Sequence, residues 1–245
     1  MFDLILEYGP KLAAGTGMTL QLTFISVIIA GLLSLPLAIL RRTGSLWLRL
    51  PIRVYVSFFR GTPLLAQLFL VYYGSGQFRP ELTDLGLWWF FRDPFYCALL
   101  TFALNSTAYQ TEILRGGLMA VPAGEVEAGR ALGMRPGLLY RTIILPHTYR
   151  IAFPALGNEV ILILKGGAVA SVITLMDLMG HTRRIFSQTF DISAYFWAAL
   201  LYLAITTSFV LLWRQIEKRL NRHKQSRGRI RTAVVTPQEE VSHAG

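Results

Sequence analysis

Four stretches of this chain, residues 17–40, 61–78, 95–111 and 192–213, contain no charged side chain. Each is near the roughly 20 residues that an α-helix needs to cross hydrocarbon. A fifth stretch, residues 151–176, is as long but carries Glu159 and Lys165. The expected fold class is therefore an all-α membrane protein with five transmembrane helices. Composition agrees: 53% of the 245 residues are hydrophobic and 16% charged, against about 25% charged in an ordinary soluble domain.

The placement of charge gives an orientation. After the first span come Arg41, Arg42, Arg49 and Arg53 with no acid, and the stretch 214–231 holds eight basic residues against Glu217. By contrast residues 79–94 set two arginines against Glu81, Asp84 and Asp93, and residues 177–194 balance Arg183 and Arg184 with Asp177 and Asp191. The positive-inside rule then puts the N-terminus outside and the C-terminus in the cytoplasm, as an odd number of spans requires. The same rule makes residues 115–150 cytoplasmic, with five arginines against Glu125 and Glu127. A net charge of +10 distributed in this way points to a lipid bilayer and away from nucleic acid.

Residues 1–16 lack the positive n-region and small-residue cleavage site of a secretory signal, and are expected to remain as an extracytoplasmic segment lying on the surface. Residues 221–245, polar and basic and then mildly acidic, are expected to form a disordered cytoplasmic tail. Cys97 is the single cysteine, so neither a disulfide framework nor a thiolate metal site can be built. There is no G-x-x-x-x-G-K-[ST] phosphate loop and no His/Glu set with metal-ligand spacing. The expectation is no cofactor and no metal in this chain, with any ATP bound by a partner. His147, His181, His223 and His243 fall in loops or the tail and read as solvated.

The cytoplasmic loop is unusually rich in charges, glycines and prolines. Pro122, Glu125 and Glu127 suit the start of a short helix, and Gly133 can end it in a left-handed conformation. Pro136 would then start a second short helix, which Pro146 would stop. Ala128, Gly129 and Ala131 leave the first helix nearly bare, so a partner could approach its backbone, with Glu127 and Arg130 at the rim.

The order Glu127, Ala128, Gly133, Ile143, Leu145, Pro146 resembles the "EAA" loop of permease subunits of bacterial ATP-binding-cassette (ABC) importers, with Gly129 in place of the second alanine. The stretches "FFRGTPLLAQLFLVYYG", "LNSTAYQTEILRGGL" and "LGNEVILILK" resemble the polar amino acid branch, for histidine, arginine and opines. The resemblance implies the type I, MetI-like importer fold, with residues 17–220 as the transmembrane domain and a coupling loop at about 116–150. It implies ATPase subunits, a second permease subunit and a periplasmic solute-binding protein as partners, in a bacterial inner membrane. It also implies that Glu127, Ala128, Gly129, Arg130 and Gly133 couple to the ATPase. This chain departs from the branch's pattern at residues 166–171, where "GGAVAS" should loosen the fourth span.

Ionisable groups at bilayer depth are costly unless paired or facing water, which makes them candidates for a transport path. Asn105, Tyr109 and Glu112 share one helical face; Asn105 and Tyr109 either line a path or bond between helices, and Glu112 either snorkels or pairs with Arg115. If the fourth span is one helix, Glu159, Gly166, Ala170 and Asp177 share a face, because offsets of 7, 11 and 18 residues return within about 20°. Glu159, with Asn158 and Asp177, is then the expected contact for a basic amino acid or opine, against a structural ion pair as the alternative. Gly61 and Pro63 shape a helix entry, and Gln67 one turn inside is a weaker path candidate. An ion-coupled secondary transporter or channel subunit is the rival from another class, active without an ATPase. A membrane enzyme would need a nucleophile and base that the polar cluster lacks.

Overall fold

The computed structural model describes residues 2–234, with side chains for residues 4–220. It is all-helical over that range. Helix α1, Phe2–Thr43, is followed by α2, Leu46–Gly61, and α3, Leu64–Gln77, which meet at a bend of 105°. Thr62 and Pro63 sit in extended conformation at that break. Two short helices, α4 (Arg79–Asp84) and α5 (Trp88–Phe91), lead to α6, Pro94–Met119, capped by the Asp93 side chain. Beyond it come α7, Ala123–Ala131, and α8, Pro136–Leu139. A π turn, Tyr140–Ile144, joins α8 to α9, Leu145–Gly166, which tightens into a 3-10 segment, Gly167–Ile173. The chain closes with α10, Leu178–Thr189, and α11, Ser193–Val234.

Among the described residues, α1, the continuous stretch from α8 to the 3-10 segment, and α11 are long and apolar enough to cross a membrane, and the bent pair α2–α3 would make a fourth. Helix α6 is long enough at 26 residues but is not among them. Its Thr101, Asn105, Ser106, Thr107, Gln110 and Thr111 dilute its apolar character, and all six are buried. That is possible because α6 is the hub of the bundle, packed against α1, α2, α3 and α9. Protein surrounds its polar groups, and two of their hydroxyls bond back along the helix, Thr101 to the Cys97 carbonyl at 2.8 Å and Thr107 to the Ala103 carbonyl at 2.6 Å, while Thr111 Oγ1 is buried without a partner.

Four expectations are corrected. Residues 1–16 do not form a separate surface segment: they continue α1, whose 42 residues span about 63 Å, and Leu4 and Leu12 pack against Leu178 and Ile185 of α10. Pro146 does not stop the second loop helix. The proline lacks an N–H and crowds the carbonyl four residues back, and the π turn just before it absorbs the mismatch, so the helix runs on into α9. The fourth span is not one α-helix to Met176, because it changes to 3-10 at the Gly166–Gly167 pair and ends at Thr174 in a left-handed conformation, φ 71°. The supposed tail is helical as far as Val234, since extending an anchored helix avoids the cost of nucleation; residues 235–245 lie outside the described range.

Candidate functional site

Three polar centres are stacked through the bundle. At the α2–α3 break the Gln67 side chain is buried, and its Nε2 donates to the Phe59 carbonyl at 2.9 Å, the Thr62 carbonyl at 3.0 Å and Thr62 Oγ1 at 2.8 Å. Gln67 Oε1 accepts from Asn105 Nδ2 at 2.9 Å, and the same Nδ2 donates to the Phe59 carbonyl at 3.2 Å. These amides satisfy carbonyls that the end of α2 leaves without helical partners. The structure therefore brings Gln67 and Asn105 together, in a knot that fixes the break.

Glu159, on α9, is the second centre. It is 3% exposed, and its Oε1 has no hydrogen-bond partner. The Ser106 hydroxyl and the Arg60 charge are the polar groups that act on it. Beside it on α6, Gln110 donates to Ser106 Oγ at 3.1 Å. An ionised carboxylate buried with an unused oxygen is costly, and such a group ordinarily has a ligand, a cation or water to meet. The companions expected for Glu159 are elsewhere. Asn158 is exposed on another face of α9, where it lines a groove with Pro154, Trp213, Arg214 and Glu217. Asp177 lies beyond the broken helix and caps α10, its Oδ1 accepting from the Gly180 N–H at 2.7 Å. Burial pushes the Asp177 carboxyl up to about 6, against the pull of its backbone hydrogen bonds.

The third centre lies toward the α7 end of α6. Glu112 is bonded by Arg41 Nη1 from α1 at 2.6 Å and by Arg115 Nε from its own helix, with Arg60 Nη1 from α2 at 3.5 Å. Arg60 also lies 5.3 Å from the centre of the Tyr109 ring, a cation–π contact. Tyr109 is thus occupied on that side by this chain's own guanidinium. The charge of Glu112 joins three helices where sequence spacing had offered only Arg115 as a partner.

Helix α7 stands out from the bundle but is tied to it. Gly129 is buried, and a Cβ there would meet Leu139 Cδ1 at 2.5 Å and Ile143 Cδ1 at 3.0 Å. This corrects the expectation that Gly129 is bare for a partner: its side of α7 packs on α8 and the π turn. Glu127, Ala128, Arg130 and Ala131 are exposed, as is Leu132 at 78%. Gly133 ends the helix at φ 73°, as its position suggested. His147, read from sequence as solvated, pairs through Nδ1 with Glu125 at 3.2 Å and so joins α9 to α7. Leu118, Val121, Leu139, Ile144 and Ala152 form an apolar cluster beneath, with Val126 and Met134 of the loop packed against it. Arg42 of α1 donates to the Leu118 carbonyl at 2.6 Å.

Helix α7 is thus a small exposed helix tied through one face to α8 and the π turn, and through Glu125 to α9. Residues 30–222 match the family of binding-protein-dependent transport system inner membrane components, and the chain belongs to it. It is thus a multi-pass inner-membrane permease subunit of an ABC importer, a transport component and not an enzyme, with the type I, MetI-like fold. It is 43% identical over 226 residues to the nopaline transport system permease protein NocM of Agrobacterium fabrum, covering 92% of this chain and 94% of that one. It is 42% identical over 238 residues to the histidine/lysine/arginine/ornithine transport system permease protein HisM of Salmonella typhimurium, covering 93% and 100%. A solved amino acid ABC transporter with histidines superposes with a TM-score of 0.78 at 35% identity, covering 89% of this chain and 98% of that one.

Proposed function

We propose that this permease imports basic amino acids or opines, with Glu159 contacting the cationic group of the substrate in transit. The single observation that carries this is the buried Glu159 Oε1 without a partner, against a Glu112 fully engaged by arginines. A guanidinium or ammonium is the natural complement of such an oxygen. Relatives named for nopaline, octopine, and histidine, lysine, arginine and ornithine transport support the substrate class. Asn105, Gln67 and Tyr109 support the path from beside it: they hold the α2–α3 break and Arg60 in position. Asn158, on another face of α9, and Asp177, capping α10, stand apart from that contact.

The chain crosses the inner membrane five times, with the N-terminus outside and the C-terminus in the cytoplasm. Helix α6 is the crossing that composition obscures. A second permease subunit, identical or related, completes the pore, and a periplasmic solute-binding protein delivers the substrate. The ATPase chains bind the ATP, and this chain carries no cofactor. They grip α7 at Glu127, Ala128, Arg130 and Leu132. Gly129 and Gly133 act by shaping α7: one lets it lie close on α8, the other ends it. Closure of the ATPases then moves α7, α9 and α6 as one body.

The test is Glu159→Gln in the complete transporter. Uptake of arginine should fall while ATPase stimulation by the loaded binding protein persists. Unaltered uptake would remove Glu159 from the path.

A further inference from the structure

Arg60 is left over from the charge pairing that joins α1, α2 and α6. Three guanidinium groups face one carboxylate there, and both oxygens of Glu112 are already taken, Oε2 by Arg41 Nη1 at 2.6 Å and Oε1 by Arg115 Nε. Arg60 Nη1 stands farther off, at 3.5 Å, and among the described residues no Arg60 N–H group donates a hydrogen bond. Its side chain is 43% exposed, against 15% for Arg41 and 32% for Arg115, so it is the guanidinium of the three that a ligand can reach. A fork of N–H donors with no acceptor of its own is the complement of a planar carboxylate.

The position of this fork is set from two sides. Helix α2 ends at Gly61, the next residue, and the Gln67–Asn105 amides fix the break that follows. The Tyr109 ring, 5.3 Å from the guanidinium carbon, steadies the charge but offers no oxygen lone pair to its N–H groups. The Arg60 charge also acts on Glu159, as does the Ser106 hydroxyl. Ser106 and Tyr109 are three residues apart on α6, so the contacts that mark the two sites differ by a step of about 4.5 Å along that helix. An extended arginine holds its carboxylate and its guanidinium several ångströms apart and can reach both.

We propose that Arg60 receives the carboxylate of the substrate while Glu159 receives its cationic group, so that the path reads both ends of a basic amino acid or opine at once. The proposal rests on the Glu159 reading and deepens it. Glu159 alone would accept any cation of the right size. Arg60 makes the choice: a cation that brings a carboxylate pairs with it, and a cation that brings none meets an unpaired positive charge.

The experiment is equilibrium binding to the complete transporter in detergent, without binding protein. Radiolabelled arginine is compared with radiolabelled agmatine, which lacks the carboxylate, and with citrulline as a competitor, which keeps the carboxylate and loses the side-chain charge. The unmodified transporter should bind agmatine roughly tenfold or more weakly than arginine. Arg60→Gln should weaken arginine to the level of agmatine, leave agmatine bound as well as before or better, and leave the ratio of arginine to citrulline unchanged. Arg60→Lys, a point charge without the fork, should restore part of the gap. A gap between arginine and agmatine that survives Arg60→Gln, or that is missing from the unmodified transporter, overturns the proposal. So does an equal loss of both ligands, the result expected if Arg60 only holds the bundle together. The Glu159 reading fails separately, through citrulline that competes as well as arginine.

Discussion

Glu112 and Glu159 are carboxylates on neighbouring helices of one bundle, set in opposite surroundings. Glu112 is held by Arg41 and Arg115, with Arg60 close by, so that α1, α2 and α6 share one charge. Glu159 is more deeply buried, and one of its oxygens meets no donor. The difference separates two uses of a charge inside a membrane protein. Where partners are built in, the carboxylate is a fastener; where they are missing, as at Glu159, our proposal is that it meets the passing substrate.

The sharpest way to break the comparison is to remove both charges in turn. Glu112→Ala leaves three arginines without their acid and should lower bundle stability by about 3 kcal/mol, read as a fall in melting temperature of the detergent-solubilised transporter. Glu159→Gln should leave that temperature nearly unchanged and lower arginine uptake about thirtyfold, the worth of a hydrogen bond to a charged group. If the two variants lost stability equally, the comparison would fail.

Asp177 gives a third, pH-dependent case. Its carboxyl titrates at about 6 in the folded chain, above its ordinary value of 3.8, because burial disfavours the charge. A raised pKa contributes stability below about pH 4 that is lost as pH rises through 6. Asp177→Asn retains a capping oxygen without the charge. It should therefore be more stable than the parent by about 2 kcal/mol at pH 7.5, and equal to it at pH 4. Melting curves at the two pH values check the sign.

Two glycines test the frame around these charges. A Cβ at Gly157 would collide with the Trp213 indole, which is itself fixed by stacking on Phe153 and by a hydrogen bond to the Phe153 carbonyl at 3.1 Å. Gly157→Ala should cost about 1–3 kcal/mol in melting experiments. At Gly129 the nearest atoms are the flexible ends of Leu139 and Ile143, so Gly129→Ala should cost under about 1 kcal/mol and shift α7 slightly outward.

Much of this was legible in the sequence, and the misses have physical causes. Long uncharged runs announce helices, and the arrangement of Pro122, Glu125 and Gly133 announces α7, because local chemistry decides both. The break at Gly166–Gly167 was foreshadowed by two adjacent glycines, but not its consequence, that Asp177 leaves the face of Glu159. Periodicity extrapolates one helix and cannot see it tighten to 3-10. The π turn before Pro146 was likewise invisible, since a proline reads as a stop unless the preceding turn can widen. Burial of Gly129 and the pairing of Glu112 with Arg41, 71 residues away, depend on which helices meet, which no local pattern encodes. One signal was available for His147: it stands near the loop that carries Glu125, where a pair across the bend is possible.

The central claim is that force from a separate ATPase enters this chain at the exposed side of α7. Cys97 is buried, with its Sγ bonded to the Phe91 carbonyl, so a single new cysteine can be addressed without interference. Cross-linking Ala128→Cys to cysteines around the docking cleft of the ATPase, in membranes containing the complete transporter, measures that contact directly. The account predicts a cross-linked pair whose formation blocks transport. Recovery of the permease uncross-linked from every cleft position, with transport intact, would contradict it.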